Sequence, residues 1–216
     1  ANGTDVIRVQ SKGYPLCQVR LDALEPVAEE VNSTPALIRG VAARFSQLGC
    51  KVGGFDAYCE STVLPGSGLS SSAAFEVLIG TIINHLFFDG RVSQPEIAQI
   101  GQYAENVFFG KPCGLMDQIA CAAGGFVHID FADPKNPVTE RIEFSPEKYG
   151  YSLYIVNTGG SHADLNDDYA SVPAEMKAVA KFFGKEVLCG ITEDELVESA
   201  KAIREDLGDR ALLRAL

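Results

Sequence analysis

The sequence predicts an α+β fold. Strand-like alternation dominates the early part of the chain and returns near residue 126, whereas the residues after about 161 are mostly helical. These segments do not follow one another as regular β-α-β units, so a layered α+β sandwich fits better than a parallel α/β sheet. With 216 residues, of which 46% are hydrophobic and 22% charged, the chain can bury a sizeable core without disulfides or metals.

The first predicted elements form a hairpin. Val6–Val9 and Cys17–Arg20 alternate as half-buried strands do, and the turn Lys12–Pro15 lies between them. The same alternation predicts three later strands, at Phe55–Val63, Phe126–Phe131 and Tyr151–Val156.

Helical spacing predicts two helices before residue 90. Apolar residues three and four apart indicate a helix over 35–48, which Gly49 ends. After Ala74 the chain is apolar almost all round as far as Leu86, so we expect a buried helix there.

Capping signals mark further helices. Ser93 and Glu96 have the spacing of a capping box, and the helix that follows has one apolar face. That face is formed by Ile97, Ile100, Ala104, Val107 and Phe108. A short helix over 115–123 ends at Gly124, and Thr192 caps a helix that reaches about Leu207. Between them, an apolar stripe predicts one more helix: Met176, Val179, Ala180 and Phe183.

The charge balance excludes two classes of partner. The chain has 18 basic and 29 acidic residues, a net charge of −11. Nucleic acid and anionic membranes bind basic surfaces, so neither is expected to be a partner. Backbone N–H groups can still bind a small phosphate ligand, whatever the net charge. The six cysteines are scattered and form no C-x-x-C motif, so we expect reduced thiols in a cytoplasmic protein.

The strongest functional signal is the Gly/Ser-rich loop at residues 65–72. Gly66 and Gly68 allow a ligand to approach the backbone closely. The serines that follow supply hydroxyl and N–H groups at the start of a helix, where the helix dipole favours an anion. The pattern therefore indicates phosphate binding, and the alternative is a serine-capped helix after a tight turn.

Three better-known loop motifs do not fit this segment. A Walker A loop requires a lysine that is absent here. The dinucleotide fingerprint requires glycine where Ser71 stands, and the hydrolase elbow requires glycine where Ser72 stands.

Three segments together resemble the GHMP small-molecule kinases, and within them the galactokinases. Pro65–Ala73 resembles the second signature of the family, and its triple serine is most like that of galactokinases. Tyr103–Gly110 is similar to the galactokinase helix that carries a magnesium carboxylate, and Lys111–Gln118 to the catalytic segment. Asn157–Gly159 and Asp168–Tyr169 fit more weakly.

This resemblance implies a fold and a domain division. The fold would be the α+β sandwich of GHMP kinases, like the second domain of ribosomal protein S5. Residues 1–160 would form the N-terminal, ATP-binding domain without its first strands, and residues 161–216 the mostly helical start of the C-terminal domain.

The resemblance also implies a role for particular residues. Ser72 and Glu105 would hold Mg²⁺, and Asp117 would accept the proton of the attacking sugar hydroxyl or orient it. Gly114 and Tyr169 would contact the sugar, together with Asp117. The ATP phosphates would be bound by Gly66, Ser67, Gly68, Leu69, Ser70, Ser71 and Ser72.

Each single residue also has a structural interpretation. A glutamate on a helix is usually a solvated charge, which is the alternative for Glu105. Asp117 could simply cap a short helix, and Tyr169 could be half-buried packing. The histidines show no ligand spacing, so no chemistry is assigned to His85, His128 and His162.

The sequence departs from the family in two places. The first signature, which supplies an arginine beside the catalytic aspartate and the main sugar-binding carboxylates, is missing, and so is the Gly-rich third signature. We therefore expect the central part of a monomeric galactokinase that phosphorylates the C1 hydroxyl of α-D-galactose, and little activity from this part alone. Four alternatives stay open: a naturally short inactive paralogue, a GHMP kinase for another sugar or small alcohol, a non-catalytic sugar and ATP sensor, and an ATP-independent interaction domain.

Overall fold

A computed structural model describes residues 1–63, 68–133, 136–156 and 166–216 of the chain, without the side chains of residues 166 and 167. The chain divides into two units, Ala1–Ser161 and His162–Leu216. Each unit has a hydrophobic core of its own.

A three-stranded sheet lies in the first unit. Its strands are β1 (Val6–Ser11), β2 (Cys17–Arg20) and β3 (Asp56–Cys59), in the order β2-β1-β3. β1 pairs with β2 antiparallel, which confirms the predicted hairpin, and with β3 in parallel. β3 is shorter than the strand predicted over Phe55–Val63.

The first unit also contains four α-helices. They are α1 (Thr34–Gln47), α2 (Ser71–Phe87), α3 (Gln94–Tyr103) and α4 (Met116–Ala123). α3 continues as a π-helix, Ala104–Phe109. The two predicted helices before residue 90, the capping box of α3 and the short α4 are thereby confirmed.

The main core joins the sheet to the helices. Gly40 of α1 allows a close approach to the π-helix, since a Cβ there would lie 2.7 Å from the Cα of Ala104. The remaining contacts are between buried aliphatic and aromatic side chains, which include Ile7, Val9 and Val19 of the sheet, Ile38, Val41 and Phe45 of α1, Ile79 and Ile83 of α2, and Ile97 and Ile100 of α3.

A second, two-stranded sheet follows α4. β4 (Phe126–Asp130) and β5 (Val138–Ile142) pair antiparallel, and β5 was not predicted from the sequence. The strand predicted at Tyr151–Val156 is wrong, since no strand is assigned there and Tyr154 is 82% exposed. An apolar run becomes a strand only where a neighbour completes its hydrogen bonds, and no described strand pairs with this one.

The second unit is helical over its described residues. It comprises α5 (Asn166–Phe182), α6 (Glu193–Leu207) and α7 (Asp209–Ala215), and Thr192 closes the predicted capping box of α6. Its buried core includes Val179, Leu196, Ile203, Ala211 and Leu212. Of the helices that are described in either unit, none has the length and apolar character that a bilayer crossing requires.

Candidate active site

A π-helix places Glu105 in the protein interior. Glu105 is 2% exposed, so the alternative of a solvated charge is wrong. The wide turn is marked by the Gly110 N–H, which donates to the Glu105 carbonyl oxygen five residues earlier at 3.0 Å. Such turns rotate the residues that follow them and occur often at functional sites. Val107, predicted on the buried face, is consequently 47% exposed.

The Glu105 carboxylate is held from three directions. The Ser72 hydroxyl donates to Glu105 Oε1 at 3.0 Å, and Lys111 Nζ lies 3.4 Å from the same oxygen. Gln118 Nε2 donates to the other oxygen, Oε2, at 2.9 Å. These donors compensate for the loss of water around a buried charge.

A second carboxylate, Glu76, lies beside this group and was missed by sequence reasoning. It is 1% exposed and accepts a hydrogen bond from Gln118 Nε2 on Oε2 at 3.1 Å. Burial and the negative charge of Glu105 raise the pKa of Glu76 to about 8, which favours its neutral form. The sequence feature that could have revealed Glu76 is that it is the one acidic residue of α2.

Two oxygen atoms of this cluster have no hydrogen-bond partner among the described residues. They are Glu76 Oε1 and Gln118 Oε1, both fully buried. Buried polar atoms are normally satisfied, so this is an unusual cluster within a well-packed domain.

The N-terminus of α2 is not capped by the side chain of its N-cap residue, Ser70. Ser70 has a left-handed backbone (φ 57°, ψ 44°) and its side chain makes no capping hydrogen bond. The alternative of a serine-capped helix is therefore wrong for Ser70. The first turn of a helix has N–H groups without intrahelical partners, which suits an anion. Of the other predicted loop residues, Gly68 (φ 78°) and Leu69 are exposed and Ser71 is partly buried. Gly66 and Ser67 lie outside the described residues.

The start of α4 presents Asp117 next to the buried cluster. Asp117 is exposed in the first turn of α4, while its neighbour Gln118 is 1% exposed and faces Glu76 and Glu105. A carboxylate in the first helical turn interacts favourably with the helix dipole. The structure therefore joins Ser72 to Glu105 directly, and Gln118, which also holds Glu105, is the chain neighbour of Asp117.

The loop before α4 is fixed by hydrogen bonds between its backbone and two side chains. The Cys113 N–H donates to Asn106 Oδ1 at 2.7 Å, and Gln102 Nε2 donates to the Cys113 carbonyl oxygen at 3.3 Å. Burial, with help from Glu105, raises the pKa of the Cys113 thiol, which stays protonated. Gly114 is exposed, and a Cβ there would meet no atom within 4 Å.

The remaining predicted residues lie elsewhere. Tyr169 is on α5 of the second unit and is 48% exposed. Asn157–Gly159 and His162 lie outside the described residues. No group of three or more His, Cys, Asp or Glu side chains converges on a metal position in the described part of the chain. The six cysteines, all described, are unpaired.

This geometry agrees with a family comparison. Residues 36–125 match the family model described as the GHMP kinases N terminal domain, a stretch that contains Ser72, Glu105 and Asp117. This stretch of the chain is therefore similar to the N-terminal domain of GHMP kinases.

Within that family the chain is similar to galactokinases. It is 35% identical to the galactokinase of Clostridium tetani over 82% of this chain and 45% of the relative. It is 34% identical to the galactokinase of Actinobacillus pleuropneumoniae serotype 3 over 88% of this chain and 48% of the relative. It is 30% identical to that of Streptomyces coelicolor over 98% of this chain and 53% of the relative. The chain thus spans about half the length of the curated relatives it matches.

A solved structure shows the same fold. The crystal structure of Lactococcus lactis galactokinase complexed with galactose superposes with a TM-score of 0.71 over 98% of this chain and 55% of that one, at 22% identity. The predicted α+β fold of the GHMP type is confirmed by this likeness.

Proposed function

We propose that the whole protein containing these residues is a galactokinase. It would transfer the γ-phosphoryl group of ATP to the C1 hydroxyl of α-D-galactose, with Mg²⁺ as cofactor. The observation that carries the proposal is the hydrogen bond of 3.0 Å between Ser72 Oγ and Glu105 Oε1. It joins the Gly/Ser-rich loop, which we propose to bind phosphate, to the π-helix that carries Glu105. The similarity to galactokinases along 82% or more of the chain supports the choice of substrate.

The start of α2 would bind the phosphates of ATP. Ser70 and Gly68 have left-handed backbones just before the helix, and the first helical turn has N–H groups without intrahelical partners. The predicted phosphate-binding set keeps its proposed role: Gly66, Ser67, Gly68, Leu69, Ser70, Ser71 and Ser72.

Ser72 and Glu105 fit a magnesium ion. A hydroxyl and a carboxylate oxygen that lie 3.0 Å apart are hard donors of the kind Mg²⁺ prefers. Two protein ligands suffice, since Mg²⁺ usually keeps several waters and binds phosphate oxygens as well. When bound, the ion would neutralise charge on the transferred phosphoryl group.

Asp117 would act on the sugar hydroxyl. It is exposed, and its backbone is fixed by the buried neighbour Gln118, so its carboxylate can accept or orient the hydroxyl proton. Gly114, on the loop before α4, and Tyr169 are proposed to contact the sugar.

The proposal extends to organisation and location. Residues 1–160 would be the N-terminal ATP-binding domain and residues 161–216 the start of the C-terminal domain. The protein would be a cytoplasmic monomer, and six unpaired cysteines support a reducing compartment.

A coupled ADP-release assay on the whole protein tests the function. It uses ATP and Mg²⁺ with galactose, other hexoses, mevalonate and homoserine as acceptors, and Asp117→Asn as the catalytic variant. We expect galactose-dependent ADP release that falls by about 10²–10⁴-fold in the variant.

Other outcomes would contradict the proposal. Turnover with another acceptor in place of galactose would indicate a different GHMP kinase. ATP binding without turnover on any acceptor would indicate a non-catalytic sensor.

A further inference from the structure

We infer that Gln118 is a positioning residue for the metal-binding carboxylate, and that Glu76 holds Gln118 in place. The inference rests on the proposed function, because only that function makes Glu105 a metal ligand. Neither Gln118 nor Glu76 would touch the metal, the nucleotide or the sugar.

The Gln118 amide nitrogen donates hydrogen bonds to two buried carboxyl groups. Its Nε2 atom carries two hydrogens, and it lies 2.9 Å from Glu105 Oε2 and 3.1 Å from Glu76 Oε2. One hydrogen can therefore go to each group. Because Oε2 of Glu105 is occupied in this way, its Oε1 is the oxygen left facing the hydroxyl of Ser72.

Packing leaves this arrangement little freedom. Glu76 and Gln118 are each 1% exposed. A Cβ at Gly101 would lie 3.1 Å from Glu76 Oε2 and 3.3 Å from Gln118 Cγ, so α3 passes directly against the pair. The amide cannot swing away from Glu105 unless these neighbours move.

The same hydrogen bonds connect three elements of the site. Glu76 is on α2, which begins with the phosphate loop, Glu105 is on the π-helix, and Gln118 follows Asp117 on α4. Outer-shell partners of this kind orient metal ligands and commonly set their affinity. Gln118 therefore fixes the metal carboxylate relative to the catalytic aspartate.

Glu76 acts as the second acceptor of the amide. With it, each Gln118 hydrogen has a carboxyl oxygen as acceptor, and the Cys113 sulfur lies 3.6 Å from the same nitrogen. The raised pKa of Glu76 supports this role, because a neutral carboxyl group beside Glu105 avoids repulsion between two buried charges.

The test measures ADP binding to the whole protein by calorimetry, with excess Mg²⁺ and with EDTA. For each protein, the ADP affinity with Mg²⁺ is divided by the ADP affinity in EDTA. We expect this ratio to be about 10–100-fold smaller in Gln118→Leu than in the wild type, with the affinity in EDTA unchanged. Glu76→Leu should act in the same direction, whereas Glu76→Gln keeps an acceptor oxygen and should restore the Mg²⁺ dependence.

Asn84→Leu is the matched control. Asn84 is another buried amide of α2, but in the described part of the chain its side chain hydrogen-bonds only to the backbone of Val92. This variant should lower the melting temperature and leave the Mg²⁺ dependence of ADP binding unchanged.

The outcomes separate the two proposals. A folded Gln118→Leu protein with wild-type Mg²⁺ dependence would overturn the positioning role and leave the kinase proposal intact. If Gln118→Leu does not fold, the pair Glu76→Leu and Glu76→Gln decides, and equal Mg²⁺ dependence in both overturns the inference. Mg²⁺-dependent ADP binding in a protein that does not phosphorylate galactose would refute galactose as the substrate and leave the positioning role of Gln118 standing.

Discussion

The two ends of α2 use buried polar groups in opposite ways. At the end of the helix, Asn84 Oδ1 accepts the Val92 N–H at 3.1 Å and Asn84 Nδ2 donates to the Val92 carbonyl at 2.9 Å. At the start, Ser70 is left-handed without a capping bond, and Glu76 Oε1 has no partner among the described residues. The satisfied end holds a loop in place. The unsatisfied end resembles sites where proteins give up stability for function.

The largest expected effect is on catalysis, at the carboxylate that Ser72 contacts from the start of α2. Glu105→Gln keeps the shape of the side chain but removes the charge proposed to bind Mg²⁺. We expect kcat to fall by about 10²-fold or more, since a bound metal contributes several kcal/mol of charge stabilisation. The melting temperature should change little by comparison, because the new amide can still accept a hydrogen bond from Gln118, although the ion pair with Lys111 is lost. Kinetics and thermal melts on one preparation check both statements, and a variant that is unfolded at the assay temperature would contradict them.

Packing around the buried cluster gives the next effect. In Gly101→Ala, the new methyl group would lie 3.1 Å from Glu76 and 3.3 Å from Gln118. We expect a loss of about 1–3 kcal/mol in the free energy of unfolding, as for other overpacked cores. Urea denaturation measures it, and an unchanged midpoint would mean that the cluster is loosely packed.

The pH dependence of stability gives a third prediction. The pKa of Glu76 is about 8 in the folded chain against an ordinary 4.5, so the folded chain retains a proton that the unfolded chain releases. Burial and the charges of Glu105 and Asp117 raise this pKa, whereas Gln118 and Lys111 oppose the rise. The contribution is fully present below pH 4.5 and is lost as the pH rises through 8. Glu76→Gln should flatten the fall of melting temperature over that window, and an unchanged slope would contradict it.

The smallest effect compares two helix starts. Ser93 closes a capping box with Glu96 at the start of α3, whereas Ser70 makes no capping bond at the start of α2. Ser93→Ala should lower the free energy of unfolding by about 1 kcal/mol, and Ser70→Ala by much less. Denaturation curves of the two variants side by side check this, and equal losses would show that Ser70 does stabilise α2.

The sequence could predict the features that local patterns determine. The capping boxes at Ser93 and Thr192, the first hairpin and the buried α2 were all predicted and are confirmed. Periodicity failed at Tyr151–Val156, because strand formation depends on a partner elsewhere in the chain.

The candidate site was predicted only in part. The segments around Ser72, Glu105 and Asp117 were found through their motifs, and the roles of these residues stay predictions. The bridge from Gln118 to Glu76 spans 42 residues, so no local pattern could reveal it. The π-helix that buries Glu105 was missed for a similar reason, because an α-helical period was assumed through Phe108.

The difference between the two ends of α2 is tested most directly by Ser72→Ala and Asn84→Leu in the whole protein. Galactose-dependent ADP release and the melting temperature are measured for both. We expect Ser72→Ala to lose most of its turnover at an unchanged melting temperature, and Asn84→Leu to keep its turnover while losing about 1–3 kcal/mol of stability. A Ser72→Ala protein that keeps full turnover, or that loses only stability, would contradict the assignment of this end of the helix to catalysis.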